Sequence, residues 1–166
     1  MDTLHAPWRI DYILGPKSPV GDQSLFTQIA QSNDDEANYV IARGRTCYAV
    51  LNAYPYNGGH LMIVPYRQTA DWNDLNEQEL LELMLLLRRC QNAVRTVMKP
   101  QGFNIGVNLG KVAGAGIVEH LHIHLVPRWE GDVNFMPLIS NTSVVPEALK
   151  ETAAKLRKAL TESAPA

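Results

Sequence analysis

The sequence predicts an α+β fold, and three observations lead to this prediction. Segments rich in β-forming residues lie in two groups, the first within residues 39–64 and the second within residues 103–126. A long stretch with helical periodicity lies between the two groups. Strands grouped on either side of one helix are typical of an α+β fold. The length of 166 residues fits a single domain over residues 1–166.

Composition and charge restrict the class of protein. Hydrophobic residues make up 46% of the chain and charged residues 19%, which indicates a globular protein rather than a disordered one. The formal net charge of −2 gives no basic excess for binding nucleic acid. The first residues lack the pattern of a signal peptide, and no apolar run has the length of a membrane span. We therefore expect a cytoplasmic protein that binds neither nucleic acid nor a membrane.

The two cysteines are predicted to be structural. Cys47 lies in a strand-like segment and Cys90 in a helix-like segment. They form neither a disulfide framework nor a zinc-binding Cys-x-x-Cys pair. We therefore expect two buried free thiols.

The first part of the chain is predicted to form a short helix and three strands. Residues 1–38 are irregular and punctuated by proline and glycine, and only Leu25–Gln31 has the character of a helix. The three strands that follow are close together in the sequence, so an antiparallel meander is their simplest arrangement. They are predicted at Tyr39–Arg43, Thr46–Leu51 and His60–Val64, the last ended by Pro65.

The long helix has recognisable signals at both ends. Asn76 can cap its first turn, and Glu79 three residues later approximates a capping box. Lys99 and Pro100 end the helical pattern. Apolar residues recur between these limits at helical spacing, and this face is predicted to cover the sheet. They are Leu80, Leu83, Met84, Leu87, Val94, Val97 and Met98.

Two more strands and a terminal helix complete the predicted elements. The strands are Phe103–Val107 and Val118–Val126, and a glycine-rich loop connects them. The terminal helix is predicted over residues 146–160, with a frayed tail after it. The core of the domain is expected within about residues 38–135.

Three of the five histidines alternate along the last predicted strand. Side chains alternate across a strand, so His120, His122 and His124 are predicted to share one face, spaced by roughly 6.5 Å. The apolar residues between them are predicted to face the core. Three interpretations of this pattern compete: locally bonded structural histidines, a zinc site, and phosphate chemistry by a neutral imidazole.

The loop directly before the histidines favours phosphate chemistry. Residues 108–117 contain three glycines, which allow backbone N–H groups to approach an anion closely. A neutral imidazole with a pKa of about 6.5 is a good nucleophile near neutral pH. No pair of carboxylates or thiolates stands beside the histidines to complete a metal site.

With these motifs the sequence resembles the histidine-triad (HIT) family of nucleotide hydrolases and transferases. His120–Val126 matches the family pattern His-φ-His-φ-His-φ-φ, where φ is apolar. Asn52 looks like the family's ribose-contacting residue, and Asn108 looks like its polar phosphate-loop residue. His60 looks like the family's supporting histidine outside the triad. The resemblance implies a HIT-like α+β domain with a five-stranded antiparallel sheet, one long helix and a C-terminal helix. It also implies a homodimer.

Two flanking segments narrow the resemblance to the branch that contains diadenosine tetraphosphate phosphorylases. They are Ala6–Arg9 with Tyr12, and Val126–Trp129 followed by Gly131–Phe135. Many relatives carry a paired-cysteine zinc motif near the N-terminus, where this chain has Ser24–Thr27. No metal is expected at the histidines, because this chain lacks the paired cysteines and shows no fourth ligand. Magnesium is expected only with a polyphosphate substrate.

The resemblance also implies roles for individual residues. The substrate is a dinucleoside polyphosphate such as diadenosine tetraphosphate, and His122 attacks its α-phosphorus to form a nucleotidyl-histidine. Water or phosphate then accepts the nucleotide. His124 contacts the phosphate, and His120 and His60 orient their neighbours. The expected substrate contacts are Asn52, Asn108, Gly114, Ala115, Gly116, Ile117, His124 and Trp129.

Two alternatives from other functional classes stay open at this point. One is a non-catalytic protein that binds or senses a nucleotide at the same residues. The other is a zinc hydrolase that uses the three histidines. A covalent intermediate would distinguish the enzyme from the sensor. Metal analysis of the purified protein would distinguish it from the zinc hydrolase.

Overall fold

The computed structural model describes residues 23–132 and 147–162 and contains a five-stranded antiparallel sheet. The strand order is β1-β2-β3-β5-β4, and every neighbouring pair is antiparallel. This confirms the predicted α+β fold class. The strands are β1 (Val40–Arg43), β2 (Cys47–Leu51), β3 (Leu61–Pro65), β4 (Gly102–Val107) and β5 (Ile123–Arg128). The helices are α1 (Leu25–Gln31), α2 (Glu77–Met98) and α3 (Leu149–Glu162).

The two faces of the sheet are covered differently. Helices α2 and α3 pack on one face and form the larger core, which includes both cysteines. Helix α1 packs on the other face through Phe26, against residues of β1, β2 and β3. Cys47 and Cys90 are buried free thiols, and burial raises the pKa of each to about 12. No helix within residues 23–132 and 147–162 is long and apolar enough to cross a membrane.

Helix α2 begins as predicted and buries a slightly different face. The Asn76 side chain accepts from the Glu79 N–H at 3.0 Å, and the Glu79 carboxylate accepts from the Asn76 N–H at 2.9 Å. Met84 was predicted to face the sheet but is 54% exposed. The sheet covers a narrow stripe of the helix, and Met84 lies outside it. The stripe consists of Leu83, Leu86, Leu87, Cys90, Ala93 and Val94.

The start of the last strand corrects the sequence prediction. Strand β5 begins at Ile123, whereas it was predicted from Val118. The Leu121 N–H donates to the Thr69 carbonyl at 2.6 Å rather than to a neighbouring strand. His120 and His122 therefore lie in the irregular segment that enters the strand, and only His124 is in β5.

Some predicted features fall outside the described residues. These are the Ala6–Arg9 segment with Tyr12, residue 146 of the predicted terminal helix, and residues 133–135 of the second flanking motif. The terminal helix was predicted from residue 146 but begins at Leu149, and residues 147 and 148 are not helical.

Candidate active site

All four histidines singled out from the sequence lie close together on the α1 side of the sheet. Phe26 contacts the rings of both His120 and His122, with centroid distances of 5.5 and 5.0 Å. The His122 and His124 rings are 4.8 Å apart, and those of His124 and His60 are 5.2 Å apart. The structure thus brings together residues from three separate parts of the chain.

The tautomer of His122 follows from one hydrogen bond. Its Nδ1 lies 2.8 Å from the His120 carbonyl oxygen. A carbonyl only accepts, so Nδ1 carries the proton and Nε2 keeps its lone pair. The side chain is 5% exposed and lines a cavity. Burial lowers the pKa of His122 below 6.5, so the ring is neutral at pH 7.

A chain of hydrogen bonds orients His124 through His60. The Tyr56 N–H donates to His60 Nδ1 at 3.1 Å, so a neutral His60 carries its proton on Nε2. His60 Nε2 lies 3.0 Å from His124 Nδ1 and donates to it. A neutral His124 then has its own N–H on Nε2. The Asn52 side-chain nitrogen lies 3.4 Å from His60 Nδ1, at the start of this chain.

His60 is placed by a glycine directly before it. Gly59 has a φ of 76°, in the left-handed region that disfavours side chains. A Cβ at this position would lie 2.5 Å from Met98 Sδ. Glycine therefore lets the chain turn closely over helix α2 and enter β3 with His60 facing His124.

His120 has a buried polar partner that sequence reasoning missed. Ser24 Oγ lies 2.5 Å from His120 Nδ1, and His120 Nε2 donates to the Pro65 carbonyl at 2.8 Å. Ser24 also caps helix α1 by accepting from the Thr27 N–H. An N-cap signal was visible in the sequence, but nothing there linked Ser24 to a histidine 96 residues away. Burial lowers the pKa of His120.

His122 and His124 line a cavity of about 760 Å³, which includes space open to solvent. One end of it is largely apolar, with Leu25, Phe26 and Ile29 of helix α1 on one wall. An apolar end suits a flat heterocyclic base, and the histidine end suits its phosphate. The cavity is also lined by Asn52, Asn108, Gly114, Gly116, Ile117, His122 and His124, and their contacts with a substrate stay predictions.

The glycine-rich loop uses part of its backbone internally. The N–H groups of Gly114 and Ala115 donate to the carbonyls of Lys111 and Gly110. A phosphate can therefore be bound by the N–H groups of Gly116 and Ile117 instead. Ala115 is buried and does not line the cavity.

The substrate contact of Trp129 and the expected absence of a metal at the histidines stay predictions. The Trp129 N–H donates to Asp132 at 3.1 Å, and Trp129 is not among the residues that line the cavity. Within the described part of the chain, no three histidine, cysteine, aspartate or glutamate side chains are arranged to hold a metal ion.

The lowered pKa of His122 predicts the pH profile of any reaction that uses it as a nucleophile. A group with a depressed pKa stays neutral as the pH falls through 6.5 and is protonated only in more acid solution. We expect the acid midpoint of kcat/KM to lie below 6.5. A pH profile with an acid midpoint at or above 7 would contradict this assignment.

Comparison with known proteins agrees with this geometry. The HIT domain family matches residues 33–131. The chain is 43% identical over 158 residues to AP-4-A phosphorylase of Mycobacterium tuberculosis, covering 92% of this chain and 80% of that protein. It is 31% identical over 100 residues to the asymmetrical bis(5'-nucleosyl)-tetraphosphatase of Schizosaccharomyces pombe, covering 60% and 54%.

Solved structures show the same fold. A zinc-bound histidine triad family protein from Mycobacterium smegmatis has a TM-score of 0.67 and 24% identity, covering 84% of this chain and 94% of that one. The match to the family covers more than half of the chain, and it includes the three histidines. The chain therefore belongs to the histidine-triad family.

Proposed function

We propose that this protein cleaves dinucleoside polyphosphates such as diadenosine tetraphosphate at an α-phosphorus, through a covalent nucleotidyl-histidine on His122. One observation carries the proposal. The Nδ1–H of His122 is held by the His120 carbonyl, so the Nε2 lone pair belongs to a neutral ring that lines the cavity. The similarity to AP-4-A phosphorylase supports the choice of substrate.

The proposed reaction has two displacements. In the first, His122 Nε2 forms a bond to the α-phosphorus while the bond to the bridging oxygen breaks, and ATP leaves. In the second, an oxygen of phosphate or water bonds to the same phosphorus and the N–P bond breaks. Phosphate yields ADP, and water yields AMP and releases a proton to solvent. Dividing one difficult displacement into two lowers each barrier.

Neighbouring groups would stabilise the charge that develops on the phosphate. The His124 Nε2–H and the N–H groups of Gly116 and Ile117 can donate to its equatorial oxygens. Asn108 would contact the phosphate and Asn52 the ribose. The His120 carbonyl would stabilise the positive imidazole ring of the intermediate through Nδ1–H.

Product analysis with labelled phosphate tests this function. We expect diadenosine tetraphosphate to yield ATP together with ADP that contains the label, or ATP with AMP if water is the acceptor. We favour phosphate. Both outcomes follow from attack at an α-phosphorus. Two molecules of ADP without label would mean symmetric cleavage, which this mechanism cannot produce.

The same assay tests the role of metal. We propose that no metal is bound at the histidines, and that magnesium acts only on the polyphosphate substrate. After chelation, added magnesium alone should restore the full rate. Stoichiometric zinc in the purified protein, with activity lost on its removal, would contradict the proposal.

We also propose that the protein is a cytoplasmic homodimer, assembled through helix α2 and the edge of the sheet. Leu81, Met84 and Leu85 are exposed on helix α2, and β4 is an edge strand with Ile105 exposed. We expect sedimentation equilibrium to give twice the chain mass of 18.5 kDa. A monomer at micromolar concentration would contradict this proposal.

A further inference from the structure

A second cavity lies beside the first, over strands β4 and β5. It has a volume of about 740 Å³, including space open to solvent. Three residues line both cavities: Tyr56, Asn108 and His124. The two cavities therefore meet at the phosphate end of the first, next to the histidines.

Among the described residues, few cover the sheet face that forms this cavity. Helix α1 packs on β1, β2 and β3, and does not extend over β4. Gly106 pairs with His124 in the sheet, and among the described residues no atom lies within 4 Å of where its Cβ would be. Asn104 on the same strand is exposed. A ligand that leaves the first cavity past His124 would enter open space here.

Arg128 stands at the far end of this space in a fixed orientation. It lies four residues beyond His124 on the same strand and face, roughly 13 Å away at the usual rise per residue. Its Nε and Nη2 donate to the Asp132 carboxylate at 2.7 and 2.8 Å, and its Nη1 donates to Asn104 at 2.8 Å. These bonds use three of its five N–H groups.

The remaining two N–H groups suit an anionic oxygen. The Arg128 side chain is 41% exposed, whereas that of Asp132 is 9% exposed, so the guanidinium rather than the carboxylate faces a ligand. Asp132 offsets part of the positive charge. Arg128 would therefore select a phosphate by the position of its N–H groups as well as by charge.

From these observations we infer that the second cavity binds the leaving nucleotide of a dinucleoside polyphosphate. This inference rests on the proposed function. The polyphosphate passes His124 and reaches Arg128, and the second nucleoside lies over β4. A substrate with a short leaving group cannot reach Arg128, so the site selects substrates with a long phosphate chain.

Two variants of the second cavity test the inference. Gly106→Val places a β-branched side chain in the open space beside His124, and Arg128→Gln removes the guanidinium. Arg88→Gln is the control for the loss of one positive charge, because Arg88 is exposed on helix α2 and lines neither cavity. Each protein is assayed with diadenosine tetraphosphate and with the p-nitrophenyl ester of AMP, whose leaving group carries no phosphate.

We expect both cavity variants to lower kcat/KM for diadenosine tetraphosphate about tenfold or more, since each loses contacts to the leaving nucleotide. The rate with the p-nitrophenyl ester should change less than about twofold, and Arg88→Gln should leave both rates unchanged. An equal loss with both substrates, or no loss with either, would overturn the inference while the proposed function stands. If the wild-type protein cleaves neither substrate, the proposed function fails and the inference fails with it.

Discussion

Replacing His122 with alanine is expected to lower the turnover of diadenosine tetraphosphate by a factor of about a thousand or more. The variant loses Nε2, which is the atom proposed to bond to phosphorus. It also loses one hydrogen bond, from Nδ1 to the His120 carbonyl. That loss costs about 1 kcal/mol of stability, so the protein should still fold. The apolar end of the cavity is unchanged, and AMP binding measured by calorimetry should survive.

A variant of a neighbouring histidine provides the comparison. His124→Ala removes a phosphate contact and leaves the nucleophile in place, so its loss should be smaller than that of His122→Ala. Rapid acid-free quenching with radiolabelled substrate should trap labelled protein in the wild type and none in His122→Ala. The assignment is wrong if His122→Ala keeps nearly full activity while His120→Ala or His124→Ala does not.

The second large effect concerns stability. Gly59→Ala forces a side chain onto a residue with a φ of 76°, which costs about 1–2 kcal/mol. The new Cβ would also lie 2.5 Å from Met98 Sδ and 3.2 Å from Pro127 Cγ. Met98 can move in part, so we expect a total loss of about 2–3 kcal/mol in the free energy of unfolding. Urea denaturation followed by circular dichroism measures it.

Gly102→Ala is the matched control for this effect. Gly102 has no positive φ, and no described atom lies within 4 Å of its Cβ position. The free energy of unfolding of Gly102→Ala should stay within about 0.5 kcal/mol of the wild-type value. Equal stabilities for Gly59→Ala and Gly102→Ala would show that the turn before His60 tolerates a side chain. If the turn does matter, Gly59→Ala should also lower activity through His60 and His124.

Much of the fold could be predicted because its signals are local. The capping box of Asn76 and Glu79 acts over a few positions and appears where the sequence placed it. Met84 was assigned to the wrong side because apolar residues at helical spacing run almost around helix α2. Only the width of the sheet decides which of them are covered.

The candidate histidines could also be found from the sequence, but their tautomers could not. The alternation of His120, His122 and His124 with apolar residues is visible in seven consecutive positions. The tautomer of His122 depends on where the His120 carbonyl points. That direction follows from the late start of β5, since the Leu121 N–H donates to Thr69 and not to a strand.

By itself the sequence determined which segments are helices and strands, the candidate nucleophile, and the residues of the glycine-rich loop that line the cavity. Each of these depends on residues close together in the chain. Only the tertiary structure decided that Ser24 bonds to His120, that His60 orients His124, and that a second cavity extends to Arg128. Such contacts join segments that are tens of residues apart. Packing of the helices on the sheet sets their geometry, and no local pattern of residues encodes it.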